Sequence, residues 1–539
     1  MTIYKKLIGR LRFLQYLQAK QHSVRLSQSK EPANTHILST NIKDNETFLK
    51  TSLGKSNDVV FREITLGLKS KTKALICFID GLADKDKINE HIIKSLTIDA
   101  HLAIEENNVA QDIFHAVKNS LLTASEIKET RSLNEVLRGI LAGDVLLIIN
   151  GYDSAFIIGM KGWATRAIAE PYTESTIRGP REGFTETLRT NTSMLRRKIK
   201  NPNLIFESLT IGQQTHTEIN IVYIKGVASE SMVAEVKKRL RHIDTDAILE
   251  SGYIEQYIED NPFSFFSTIG NSEKPDIVAA KLLEGRVAIF CDGTPFVLTV
   301  PLLFIETLQS AEDYYSRPYL ATIVRWIRFF AFVITLTAPA LYVALETFHQ
   351  ELLPTVLLIT AAAAREGIPF PAFLEGMIIG VIFEILRESG IRMPQPVGQA
   401  VSIVGALVVG EAAVRAGIIS APMVIIAALT AITGFIVTPL MDAVVPFRFF
   451  LLGLAAMFGL YGITIGLILM LGHMCSLRSF GTPYLSPFAP TNKAGLKDAL
   501  FRAPLWLMHT RPQVITWKTS ARQSSSLQPD QDTKEGEHQ

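Results

Sequence analysis

The sequence predicts an α/β soluble region of two similar lobes, followed by an all-α, multi-span membrane domain. Three observations carry that prediction. Residues 1–325 have the mixed polar and apolar composition of a soluble protein, whereas Trp326 to Cys475 is predominantly apolar. Strand-like segments in the first part recur at an offset of about 145 residues, in the same order each time. The apolar part is also long enough for several bilayer crossings, since each needs roughly 20 residues.

The totals narrow the function. With a net charge of +2 over 539 residues, the chain is too near neutrality to suggest a nucleic-acid partner. Cys77, Cys291 and Cys475 are too few and too far apart for a metal site or a disulfide framework, so the soluble part is expected in a reducing compartment. The 11 histidines are scattered, with no HExxH pair, and there is no GxSxG nucleophile turn. Asp80, Asp84 and Asp86 fall at a strand end and a helix start, where capping is the commoner role. No catalytic constellation, metal or cofactor is expected.

Residues 1–57 read as a basic leader and linker. The first residues are basic but lack the apolar run of a signal peptide. Ile8, Leu11, Leu14 and Leu17 share a helical face, so a membrane-surface helix stands beside the plainer reading of a polar leader. Residues 20–57, rich in Ser, Asn and Lys, are expected as linker.

Lobe 1 spans 58–160 and lobe 2 spans 203–310. DVVFREITLG from Asp58 matches NLIFESLTIG from Asn203, and ALICFIDGLA from Ala74 matches NIVYIKGVAS from Asn220. Each is an apolar strand running into a Gly turn and then an amphipathic helix, Lys85–Leu96 or Ser229–Ile243. EVLRGILAGDVLLIINGYDSAFII from Glu135 then matches IVAAKLLEGRVAIFCDGTPFVLTV from Ile277. In both, a helix ends at a glycine, Gly143 or Gly285, where a left-handed cap costs least. A strand follows, then Asn150-Gly151 or Asp292-Gly293, both strong hairpin signals.

The connector, 161–202, contains the charged turn RGPREG from Arg178 and a helix over about 184–199. Arg178, Arg181 and Glu182 are the subunit-docking candidates; the plainer reading is an exposed lobe-to-lobe connector.

The membrane domain spans 311–475. Tyr314, Tyr315, Tyr319 and Trp326 suit an interface, and Arg317, Arg325 and Arg328 suit its cytoplasmic side. Spans are expected near 326–348, 396–414, 418–440 and 447–474, with Pro339 kinking the first. Residues 352–388 are interrupted by Arg365, Glu366, Gly367, Pro369 and Pro371. They read as a broken or re-entrant pair, or as an amphipathic hairpin on the membrane surface. Glu375, Glu384 and Glu411 are intramembrane polar residues, which need protein, water or a partner charge around them. Gly462 and Gly466 permit close helix approach, within one chain or between chains. Gln399, Ser402, Ala406, Val409 and Ala413 recur at three- and four-residue spacing and so share a small, mildly polar face. That face suits a pore wall or interhelical contact equally. The segment 476–513 is basic and juxtamembrane; 514–539 has the composition of a disordered tail. Basic residues at both ends place both termini in the cytoplasm, with four spans plus a re-entrant pair, or six.

Over RMPQPVGQAVSIVGALVVGEAAVRAGI from Arg392, the chain resembles the A subunit of spore germinant receptors, the GerA family. FIDGLAD from Phe78, RGPREGFTE from Arg178, ISAPMVIIAALTAITGF from Ile419, RSFGTPYLSPFAP from Arg478 and TRPQ from Thr510 agree with it. The resemblance covers about 40–513. It implies a spore inner-membrane protein with a cytoplasmic N-terminal region. It also implies as partners a transporter-like B subunit, a lipoprotein C subunit, membrane lipids and further copies of itself. The implied function is to trigger germination on sensing nutrients, by oligomerising into a ligand-gated cation channel lined by the GQAVSIVGALVVG helix. A paralogous channel that amplifies the response without its own germinant, a secondary transporter and a non-conducting scaffold are the alternatives. No inverted repeat of spans supports the transporter.

Overall fold

The computed structural model describes residues 37–54, 56–66, 72–99, 113–118, 126–162, 174, 178–392, 410–492, 495–508, 510–512 and 515. The chain divides into two compact units, Met1–Gly54 with Asp58–Trp163, and Lys55–Asn57 with Ala164–Gln539.

In the first unit the described elements are α1 (Ile42–Leu53), β1 (Val59–Leu66), β2 (Thr72–Ile79), α2 (Lys85–Ile88), α3 (Ile113–Ala116), β3 (Ile127–Thr130), α4 (Leu133–Leu141), β4 (Val145–Ile149) and β5 (Ala155–Ile158). A π-helix, Asn89–Asp99, continues α2. The sheet order is β1-β2-β4-β5-β3. Although helices and strands alternate along the chain, every one of these pairings is antiparallel. Side chains alternate across a strand, and β2 uses both faces. Ala74, Ile76 and Phe78 pack with Ile92 and Leu96 on one side. Leu75, Cys77 and Ile79 pack with Leu49, Leu53, Val136 and Ile140 on the other. Burial raises the Cys77 thiol far above its ordinary range, leaving a packing group rather than a nucleophile.

The second unit begins with α5 (Leu188–Lys198), β6 (Leu204–Ile211), β7 (Thr217–Ile224), α6 (Glu230–Arg241), α7 (Ser251–Ile258), β8 (Gly270–Ser272), α8 (Pro275–Leu283), β9 (Val287–Cys291) and β10 (Val297–Val300). Its sheet order, β6-β7-β9-β10-β8, repeats that of the first. The repetition reaches single hydrogen bonds. The side-chain oxygen of Asn150 accepts from the first N–H of α1, at Ile42, over 3.2 Å; that of Asp292 accepts from the first N–H of α5, at Leu188, over 3.0 Å. Asn45 bonds Ser39 through both its amide atoms, and Asn191 does the same to Thr185.

These contacts correct the expectation of linker over 42–53; residues 20–36 and 55 of the stretch 20–57 lie outside the described residues. Ile42–Leu53 is a helix whose Leu49 and Leu53 are buried, the counterpart in the first repeat of Leu188–Lys198 in the second. The Asn-Gly and Asp-Gly pairs also differ from two-residue hairpins. β5 starts only at Ala155 and β10 only at Val297, because Asn150 and Asp292 are turned to cap a helix. Gly151 and Gly293 hold φ of 96° and 86°, a region open to glycine.

The second unit continues through α9 (Phe304–Thr307) and α10 (Glu312–Tyr315) into α11 (Pro318–Thr347), α12 (Thr355–Arg365), α13 (Ala372–Arg392), α14 (Ala421–Ile436) and α15 (Met441–Ser476). Among the described residues, α11 and the run Thr438–Ser476, which includes α15, are long and apolar enough to cross a membrane by length and composition, but the second is folded into two shorter arms at Gly459. The segment expected as one span over 418–440 is the 16-residue α14 followed by a 3₁₀ turn, Thr438–Leu440. The segment expected as one span over 447–474 is interrupted. At Gly459 φ is 61° and ψ is −137°, outside any helix, and the chain doubles back. A Cβ at Gly462 would stand 2.1 Å from the Leu454 carbonyl oxygen. The two arms therefore touch backbone to backbone, and the Gly462/Gly466 face is consumed by contact within one chain.

The hairpin tip rests on the end of α11, where a Gly459 Cβ would lie 2.9 Å from the Phe348 Cβ. Its open end packs on Phe266, which lies 5.5 Å from Phe447 and 6.3 Å from His473 between ring centroids. Thr335 and Thr433 share a 2.8 Å hydroxyl bond, and Val343 packs with Ile419 and Met423. α14 thus runs antiparallel to α11. Outward faces stay apolar: Phe330, Ile425, Phe435, Ile465 and Ile468 are all at least half exposed.

Candidate membrane-embedded site

Two buried charge networks stand at the ends of α11. Arg325, 1% exposed, lies in its first turns. Its Nε donates to Asp313 over 3.0 Å, and its Nη1 donates to the Asp498 carboxylate and to the Asp498 and Ala499 carbonyls over 2.8–3.0 Å. Arg328 donates to the same Asp313 carboxylate over 2.8 Å. The Tyr314 hydroxyl donates to Asp498 over 2.7 Å; burial, reinforced by the Asp498 charge, holds that phenol protonated far above its ordinary range. This network joins the start of α11 to the segment that follows α15.

At the other end, Arg365 sits between two buried carboxylates. Its Nη1 bonds Glu346 Oε1 over 3.2 Å, and its Nε lies 3.3 Å from Glu375 Oε1. Glu375 is wholly buried, and its other oxygen accepts from the Ser420 N–H over 2.8 Å. Ser420 is the N-cap of α14, so Glu375 faces a helix N-terminus, where the macrodipole favours an anion. Arg365 closes the gap between α12 and α13 by tying both to α11. Arg325 and Glu346 are 21 residues apart on α11, about 31 Å at the helical rise. That nearly equals the ~30 Å of a hydrocarbon core. No charged residue falls between Phe329 and Leu345. Between the two networks, Glu384 pairs with Arg448 over 2.7 Å and with Arg387 over 2.6 Å.

The structure places the sequence candidates unevenly. Gln399, Ser402, Ala406 and Val409 lie outside the described residues, and only Ala413 of that face is described, half-buried against α14 and its neighbours. Glu375 and Glu384 are ion-paired as above; Glu411 is exposed and pairs with Arg415 one turn on. Arg178 and Arg181 are exposed, and Glu182 approaches Arg197 at 3.6 Å and Lys198 at 3.5 Å. The sequence marks Glu375 and Glu384 as carboxylates in apolar runs, but neither Glu346, near the end of α11, nor the cations that pair these groups were identified from it. Arg365 read as a helix breaker beside Gly367, although an arginine between two apolar runs was the available signal. Arg448 is 6% exposed, and nothing near it in the sequence marks it as Glu384's partner.

The sequence model of one family, described as Bacillus/Clostridium GerA spore germination protein, matches residues 47–514. The chain is 46% identical over 497 residues to spore germination protein KA of Bacillus subtilis (strain 168), covering 92% of this chain and 90% of that one. It is 42% identical to the uncharacterized membrane protein YfkQ of the same organism, over 92% and 95% of the two chains. Against spore germination protein GerLA of Bacillus cereus the identity is 38%, over 88% and 95%. Among solved structures, the N-terminal domain of the A subunit of the Bacillus megaterium spore germinant receptor GerK3 is 36% identical. It covers 50% of this chain and 98% of its own, with a TM-score of 0.41.

Proposed function

The chain belongs to the GerA family of spore germination proteins, and from that membership we propose that it is the membrane subunit of a nutrient germinant receptor whose copies assemble around a cation-conducting path. The observation that carries the germination role is the 46% identity to a spore germination protein over nearly the whole chain. The membrane reading draws support from α11 and the α15 hairpin. Their outward faces are apolar, and the buried charges they carry, Arg325, Glu346 and Arg448, are each ion-paired. A charge in hydrocarbon is tolerated when it faces protein or a partner charge.

The conduit reading rests on Gln399, Ser402, Ala406, Val409 and Ala413. One such face cannot enclose water alone, so several copies must present it to a common axis. The mechanism is then a population shift: a nutrient signal stabilises the open arrangement by binding it more tightly than the closed one. A transporter-like B subunit and a lipoprotein C subunit are the proposed sources of that signal. Arg178, Arg181 and Glu182 are the proposed docking positions. The proposed location is the spore inner membrane, with the sheet-bearing region in the cytoplasm.

The test is monovalent-cation release from spores carrying Ala406→Lys or Val409→Lys. The reading expects altered leakage before germinant and altered release after it. Wild-type leakage and wild-type germination in both variants would remove these residues from a pore.

A further inference from the structure

Phe263 is 98% exposed, more than any other large apolar side chain among the described residues. It stands in the loop after α7, and that loop is braced against the helical region. Phe265, 55% exposed, meets Phe447 of α15 edge-on at 6.0 Å. The neighbouring Ser264 hydroxyl lies 3.0 Å from His473 Nε2 on the other arm of the hairpin. The loop therefore crosses the open end of the hairpin. From there toward the tip, both arms turn apolar side chains outward, Phe450 on one and Ile468 on the other.

The level of the loop follows from the aromatic side chains behind it. Phe266 contacts Tyr484, Tyr484 contacts Phe304, and Phe304 contacts Phe332 on α11, each within 6.3 Å. Phe332 is 6 residues from Trp326, about 9 Å along the helix. The loop thus lies near the depth at which α11 passes from its arginines to its uncharged stretch. Trp326 also meets Phe501 there, at 5.8 Å, and Phe501 is 60% exposed. Aromatic side chains at this depth are what a membrane interface selects.

We propose that the Phe263–Phe265 loop is a lipid anchor: it inserts its aromatic side chains into the interfacial layer and so holds the second α/β lobe against the bilayer. This rests on the membrane reading of the helices. The occupant is the lipid surface, because the patch is continuous with the outward apolar faces of α15 through the Phe265–Phe447 contact. A motion of the lobe would then be felt at α15 through this loop.

The test uses full-length protein in phosphatidylcholine vesicles, with Cys475→Ser as background and a nitroxide attached at Phe263→Cys, Ile468→Cys or Glu230→Cys. Collision rates with oxygen and with a water-soluble nickel chelate report depth. The anchor predicts an oxygen-to-nickel ratio at position 263 several-fold above that at the exposed, polar position 230, approaching that at 468. If 468 reads as lipid while 263 reads as water, the anchor is overturned and the membrane reading survives. If 263 is immobilised and shielded from both reagents, a protein partner covers it and the anchor is overturned. If 468 itself reads as water, the membrane reading fails and takes the anchor with it.

Discussion

Replacing Arg365 by leucine removes the cation shared by Glu346, 6% exposed, and Glu375, wholly buried. The substitution leaves two carboxylates in an apolar surround. Glu375 keeps one hydrogen bond, from the Ser420 N–H, and the α14 N-terminus. Glu346 loses the ion pair that neutralises it. Breaking a buried pair from one side costs about 3–5 kcal/mol, a large part of the roughly 5–15 kcal/mol that a folded protein possesses. The folding equilibrium constant of the helical region should fall by about two orders of magnitude or more, since ~1.4 kcal/mol is tenfold. The assay is thermal unfolding of purified protein in detergent, with germination of the corresponding spores. The controls separate charge from contact. Arg415→Leu breaks an exposed pair, where the expected loss is at most about 1 kcal/mol. Adding Glu346→Gln and Glu375→Gln to Arg365→Leu removes the stranded charges and should restore most of the stability. If Arg365→Leu alone melts with the wild type, the triad does not bind α11, α12 and α13 together, and the reasoning is wrong.

Gly462→Ala should separate the hairpin arms and abolish germination. Gly472→Ala, whose Cβ would meet nothing within 4 Å, should be silent; equal thermal stability of the two variants would contradict the hairpin. Asp292→Ala removes the acceptor at the start of α5 and should cost about 1 kcal/mol, read from unfolding midpoints. Burial pushes the Glu207 carboxyl upward, but Lys237 and the Tyr223 hydroxyl outweigh it and hold it below its ordinary range. A carboxyl lowered by folding contributes stability above its unfolded pKa, and that stability is lost as pH falls through the folded value. Glu207→Gln should therefore flatten the acid limb of the stability profile below about pH 4.3; a limb of unchanged slope would show that the pairing contributes nothing.

Much of this architecture was legible in the chain. Strands such as Val59–Leu66 and Leu204–Ile211 announce themselves by β-branched residues and by the glycines that follow. The helix over 188–198 falls within the one expected over about 184–199. Its counterpart at Ile42–Leu53 was not expected, although it carries Ile42, Phe48, Leu49 and Leu53, because it continues the Ser-, Asn- and Lys-rich stretch before it. What makes it a helix is long-range: burial of Leu49 and Leu53, and a cap from Asn150 in the turn after β4. The helical part shows the same division. Apolar runs were plain, but one run, 441–476, holds two antiparallel arms, and only the backbone at Gly459 reveals it. Glu375 and Glu384 could be named from the sequence because carboxylates are rare in apolar runs, whereas Glu346, near the end of α11, was missed. Which arginine meets which carboxylate depends on crossings that bring residue 365 to 346 and 448 to 384.

The most direct test of the central claim is a planar-bilayer recording on purified protein whose oligomeric mass is measured in the same preparation. The account predicts an oligomer that carries a cation-selective conductance, with an amplitude changed by Ala406→Lys. A monomer, or an oligomer that passes no current, would contradict it.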